Sequence, residues 1–190
     1  MKEYLVDLTS GDDERAESSI PAIKNLGHEV IPALLELSRS DDIDVRWWAV
    51  RALAASPHTQ TSDLLPLLND SASEVRAATA LALCHHPNED AVDALIKALA
   101  DEDPLTAGLA GNALVKIGSP SVLPLLKVMN EALPGVRVVA LRTLSEIRDQ
   151  RAIPIMMKCL SEESAFLQYW AQQGLERLGL DMVYIKPKGI

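Results

Sequence analysis

Apolar positions recur in register along this chain. The run Asp44-Val45-Arg46-Trp47-Trp48-Ala49-Val50-Arg51-Ala52-Leu53 returns as Glu74-Val75-Arg76-Ala77-Ala78-Thr79-Ala80-Leu81-Ala82-Leu83. It returns again from Leu105 to Leu114, from Gly135 to Leu144 and from Phe166 to Leu175. The cognate positions Ala49, Thr79, Ala110, Ala140 and Ala171 are separated by 30, 31, 30 and 31 residues. A degenerate first copy lies between Glu14 and Leu26. Within a copy, Val45, Trp48, Ala49, Ala52 and Leu53 fall on one stripe of a helix.

A second motif comes after each copy. Ile31, Leu34 and Leu35 stand at i, i+3 and i+4, as do Val92, Leu95 and Ile96. Early prolines such as Pro32, Pro124 and Pro154 sit where a first helical turn tolerates them. Gly27, Pro57, Pro87 and Gly118 separate the paired helices. Acidic stretches such as Ser40-Asp41-Asp42 and Asp101-Glu102-Asp103 carry helix-start chemistry. One such helix pair cannot bury its own apolar faces, so neighbours must stack. The pattern predicts an all-α fold, an α-α superhelix of about six two-helix repeats in one domain over residues 1–190. The repeats fall at residues 12–40, 41–70, 71–101, 102–131, 132–163 and 164–180. The second repeat is expected to have a short or kinked second helix, because its turn is long and Pro66 interrupts the helix beyond it. Residues 181–190 leave the pattern, and their apolar side chains are expected to cap the last helix pair, with residues 1–12 capping the other end.

Composition narrows the function classes. The net charge of −9 disfavours nucleic acid and anionic membrane surfaces, both of which need a basic face. No apolar run approaches the length of a membrane span. The first residues carry acids and no secretory core, so the protein is expected to be soluble and cytoplasmic. Cys84 and Cys159 read as reduced thiols in the helical core.

The run Asp/Glu-Val-Arg followed by Ala-x-x-Ala-Leu, then an Ile-Pro-Leu-Leu-like helix, resembles the HEAT-like repeats of the phycobilisome (PBS) lyase group over residues ~14–179. The resemblance implies the α-solenoid and a structural ladder between neighbouring repeats at Asp44, Arg46, Glu74, Arg76 and Arg137. The third full copy departs from it, with Leu105 and Ala107, which breaks the ladder there. It also implies the alternative of a bilin lyase subunit or a chaperone for a bilin or phycobiliprotein.

Candidate chemistry is sparse. His28-Glu29 is similar to a pair that the deoxyhypusine hydroxylase group uses several times for a di-iron site, but the cognate positions here are Asn88-Glu89, Ser119-Pro120 and Asp149-Gln150. One pair cannot build that centre. Cys84-His85-His86 is the densest cluster of soft ligands, with His58 expected nearby, and a zinc site would need four ligands. No phosphate loop or nucleophile elbow occurs. No cofactor, metal or catalytic residue is therefore expected, and the chain reads as a non-catalytic scaffold that binds a protein partner.

In such a solenoid the second helices line the concave side, with Glu29, Glu36, Asp93, Lys97, Lys127 and Lys158 facing solvent. Their sign changes from acidic to basic along the chain, which would orient a partner. Trp47 and its cognate Tyr169 complete the candidate binding residues, as exposed aromatic anchors. Trp48, about 100° round the helix from Trp47, is expected in the core.

Overall fold

The computed structural model describes residues 2–180. All regular structure among them is helical. A short helix α1 (Lys2–Leu8) precedes the repeats. The first helices of the repeats are α2 (Asp13–Lys24), α4 (Ile43–Ala55), α6 (Ser73–His85), α8 (Pro104–Ile117), α10 (Pro134–Ile147) and α12 (Ala165–Arg177). The second helices are α3 (Ile31–Leu37), α5 (Thr61–Leu64), α7 (Val92–Ala98), α9 (Val122–Glu131) and α11 (Ile153–Cys159). Four of these five are entered through a 3-10 turn, at 28–30, 89–91, 119–121 and 150–152. In the second repeat α5 stops after one turn and Leu65–Asn69 continues as 3-10 helix, with Pro66 at its start. The expected capping segment 181–190 lies outside the described residues.

The helix starts reflect side-chain chemistry. Asp12 accepts from the N–H groups of Glu14 and Arg15. Asp42 accepts from that of Asp44 at 2.9 Å, and Asp103 from that of Thr106 at 2.9 Å. Each satisfies donors that a helix leaves without intrahelical partners.

Contacts divide the chain into two units, Met1–Ile117 and Gly118–Ile190. In the first unit, α6 packs between α4 and α8, and α3 and α7 pack against the first helices that come after them. Helix α1 packs on α2 and buries Leu8, which covers that end of the unit. The core is aliphatic: Ala49, Val50, Leu53, Val75, Ala80 and Leu83 are all but fully buried. Trp48 is buried as its stripe predicts. In the second unit, α10 packs on α9 and α12, and α11 packs on α12. The position that buries Val50, Ala80 and Leu141 in earlier copies holds Gln172 on α12, and it is exposed.

An arginine ladder ties first helices to acidic connections. Arg46 donates from Nε and Nη2 to the two carboxylate oxygens of Asp70, each at 2.8 Å, and from Nη1 to the Ser40 carbonyl at 2.9 Å. Arg76 repeats this on Asp101 at 2.8 Å twice, and donates to the Asp70 carbonyl at 3.0 Å. Arg137 reaches Glu162 in the second unit. The ladder's acids are therefore Asp70, Asp101 and Glu162, and this corrects the expectation at Asp44 and Glu74. Those two side chains lie exposed at helix starts, because the guanidinium reaches across its connection rather than along its own helix. In the interrupted copy both cognate positions are alanine, Ala107 and Ala132.

Two cognate turns use left-handed backbone. Gly118 has φ 78°, and Arg148 has φ 60° as the residue that ends α10. A side chain at positive φ crowds its own carbonyl, whereas glycine does not. Arg148→Gly is therefore expected to raise stability by about 0.5–1 kcal/mol, read from urea unfolding midpoints. A lower midpoint would show that the Arg148 side chain contributes more than its backbone costs.

Candidate functional site

The charged residues of the second helices all reach solvent. In the first unit, Glu29 lies on the 28–30 turn, Glu36 on α3, and Asp93 and Lys97 on α7; each is exposed. In the second unit, Lys127 on α9 and Lys158 on α11 are exposed. The side chains expected to line one face thus lie on the same helical layer within each unit. Trp47 and Tyr169 lie on first helices instead, in the other layer of their units.

Trp47 is half-buried and edge-on to Trp48, with ring centroids 4.8 Å apart. The Arg51 guanidinium lies 5.6 Å from the centre of the Trp47 ring. Arg51 also donates to both carboxylate oxygens of Glu17, at 2.9 and 2.8 Å. An arginine is thereby held between a carboxylate and an indole, a cation–π arrangement. Tyr169 is 55% exposed and edge-on to Trp170 at 5.1 Å.

Sequence reasoning did not find the two hollows that meet at Trp47. One is a cleft of about 1000 Å³ among the starts of α2, α4 and α6, lined by Asp41, Asp44, Glu74 and further carboxylates beside Trp47. The other is a groove of about 310 Å³ over α4, α6 and α8, with Ala77, Ala78 and Leu81 as its floor and Leu105 and Leu109 as a wall. The signal was available in the repeat. At the Trp47 position the next two copies carry Ala77 and Gly108, so a large ring stands beside two missing side chains.

Two of the three soft ligands, Cys84 and His86, bond backbone carbonyls. Cys84 donates from Sγ to the Ala80 carbonyl at 3.5 Å. One ring nitrogen of His86 bonds the Ala54 carbonyl at 3.1 Å. His58, expected near them, packs edge-on against His28 at 5.3 Å. Among the described residues no group of three or more His, Cys, Asp or Glu side chains is placed to hold a metal ion. Cys84 and Cys159 are free thiols. Burial, with Glu162 alongside, pushes the Cys159 thiol up to about 11. A thiol held that high carries little thiolate at neutral pH and is a poor nucleophile. No helix among the described residues is long and apolar enough to cross a membrane.

Comparison with known proteins bears on what these surfaces serve. Residues 61–132 match HEAT repeats, and residues 136–162 match the PBS lyase HEAT-like repeat. A protein of Pseudanabaena tenuis called "uncharacterized phycocyanin operon protein Z" is 28% identical over 166 residues, which is 81% of this chain and 82% of that one. "Bilin biosynthesis protein RpcF" of a Synechococcus species is 31% identical over 52% of this chain and 47% of its own length. A "phycobilisome maturation protein" of Synechococcus elongatus is 31% identical over 55% of this chain and 50% of its own. This chain therefore spans about half the length of the latter two. Among solved structures, an engineered protein superposes with a TM-score of 0.53 at 22% identity, covering 93% of this chain and 95% of the other. A designed armadillo repeat protein in complex with a (KR)4 peptide gives 0.51 at 20% identity, over 93% of this chain and 98% of that one. These likenesses establish the repeat solenoid fold.

Proposed function

Taking this chain as the HEAT-repeat protein that its matches show, we propose that it is a non-catalytic binding module in phycobiliprotein maturation, holding a protein partner on the face of its second helices. One observation carries the reading. Many side chains suited to chemistry are committed to structure, while the charges of the second helices face solvent, Glu36 with the exposed Arg39 guanidinium 3.7 Å away. Arg46, Arg76 and Arg137 hold the ladder, Asp12, Asp42 and Asp103 cap helices, and His86 bonds a carbonyl. Glu29, Glu36, Asp93 and Lys97 in the first unit, and Lys127 and Lys158 in the second, remain to meet a partner. The names of the three curated relatives support a partner class for this reading: a phycobiliprotein, or a bilin. The relative named for bilin biosynthesis favours a second reading, in which the chain is one subunit of a bilin lyase.

The test mixes the full chain with a purified phycobiliprotein and, separately, with a linear tetrapyrrole. Co-elution with the protein, weakened ~10-fold when Lys97, Lys127 and Lys158 are changed to Glu, is the expected result. A coloured complex with the tetrapyrrole alone would favour the lyase-subunit reading. Equal capture by both forms of the chain would remove the second-helix face as the site.

A further inference from the structure

We propose that the groove over α4, α6 and α8 is a second docking surface, distinct from the second-helix face, and that it receives an amphipathic helix of a partner protein bearing lysine or arginine beside its apolar anchors. The groove is mostly apolar, with Arg51, Glu74 and His85 at its lining. Leu81 and Leu105, on its floor and wall, are 41% and 61% exposed although both belong to packed helices. Burying such apolar side chains is favourable, so a complementary surface gains by covering them. The floor runs from Ala77 along two turns of α6 to His85, roughly 12 Å at the helical rise. Its small residues let a third helix approach closely, and the hollow admits the anchors such a helix presents at i, i+3, i+4 and i+7.

Charge decides the chemistry of the occupant. Trp47 and Glu74 line both the groove and the acidic cleft, so the two hollows adjoin at the indole. Of the cleft's carboxylates, Glu17 is ion-paired with Arg51. Among the described residues no basic side chain forms an ion pair with Asp13, Glu14, Asp41, Asp44 or Glu74. A helix seated in the groove with cations toward the cleft would neutralise these acids. An acidic segment would add like charge and be rejected. The Glu17–Arg51–Trp47 stack displays the same recognition within the chain, a guanidinium held between carboxylate and indole.

The experiment uses the full chain and two synthetic amphipathic peptides of roughly 18 residues with the same apolar stripe, one flanked by lysines and the other by glutamates at the same places. Titration is followed by tryptophan fluorescence, with Trp47→Phe identifying the reporter. Saturable binding of the lysine peptide is expected, at least ~10-fold tighter than that of the glutamate peptide and weakening as salt rises. Leu105→Glu should weaken it at least ~10-fold, and the thermal midpoint should hold because that side chain lies outside the core. Asp44→Lys with Glu74→Lys should invert the preference between the peptides. The chain with Lys97, Lys127 and Lys158 changed to Glu should bind the lysine peptide undiminished, which separates this surface from the second-helix face. Equal binding of both peptides, binding unaffected by Leu105→Glu, or no binding of either peptide would overturn the proposal. Self-association of the chain abolished by Leu105→Glu would also overturn it, by assigning the groove to a second copy.

Discussion

Changing Arg76 to Leu is expected to destabilise the first unit by about 3 kcal/mol, near the lower end of the range for breaking a buried ion pair. The Arg76 side chain is 9% exposed, and its guanidinium bonds Asp101 twice and the carbonyls of Asp70 and Ser71. Removing it leaves the Asp101 carboxylate largely buried without its counter-charge and orphans two carbonyls, which costs more than the pair contributes. Arg51→Ala is the control. It removes an ion pair of the same kind, but to a more exposed partner, and should cost under about 1 kcal/mol. The ladder also predicts acid sensitivity. The hydrogen bond from Arg76 holds the Asp101 carboxyl below the usual carboxylate range, and the bond from Arg137 does the same for Glu162. At Asp70 burial pushes upward, but Arg46 and the Ala72 N–H outweigh it and the net direction is down. A carboxyl depressed in the folded state adds stability that is full above its unfolded value, about 4, and is lost as pH falls through the folded one. Stability should thus be level from neutral pH down to about 5 and fall steeply below about 4. The change at Arg76 should flatten part of that acid limb, because Asp101 is no longer depressed. Urea unfolding at neutral and acid pH reads both effects. An unchanged midpoint at neutral pH would mean that the ladder is ornamental to stability.

The repeat was legible because it is written in local spacing. A period of 30 or 31 residues, apolar stripes, capping acids and turn residues are each set within one helix pair, although the cap of Asp42 and Asp103 lapses at the cognate Ala72 and Leu133. Pro66 truncating the second helix of its repeat is legible for the same reason, since proline acts on its own turn. What the sequence obscured is tertiary. The ladder's acids stand 24 or 25 residues beyond their arginines, one connection further on than the acids beside them in sequence. Local pattern alone favours the nearer Asp44 and Glu74. The His58–His28 contact has the same origin, because neighbouring turns decide it. The groove escaped notice because it consists of missing atoms. Ala77 and Gly108 look like ordinary packing residues until they are aligned with Trp47 across three successive first helices. Helix phase placed Glu29, Glu36, Asp93, Lys97, Lys127 and Lys158 at solvent, yet phase alone does not tell a binding face from any other charged one.

Leu83→Ala is expected to cost about 3 kcal/mol, and the identical change at its cognate Leu175 should have a more local consequence. Both side chains are almost fully buried, on α6 and α12. Their neighbours differ. Helix α6 lies between α4 and α8 and against the 65–69 turn, whereas α12 packs on α10 and α11 among the described residues. In a stack stabilised by nearest neighbours, loosening an inner helix weakens two interfaces, and loosening an outer one lets the end fray. Amide hydrogen exchange should therefore show Leu83→Ala losing protection across α4, α6 and α8 together, and Leu175→Ala losing it in α11 and α12 with α10 retained. Loss confined to α6 in the first variant would contradict nearest-neighbour coupling. The same variant bears on function, because the groove beside Trp47 is framed by those three helices. If their packing holds the groove in shape, Leu83→Ala should weaken the lysine peptide without touching a lining residue, and the loss should grow with temperature as α6 opens.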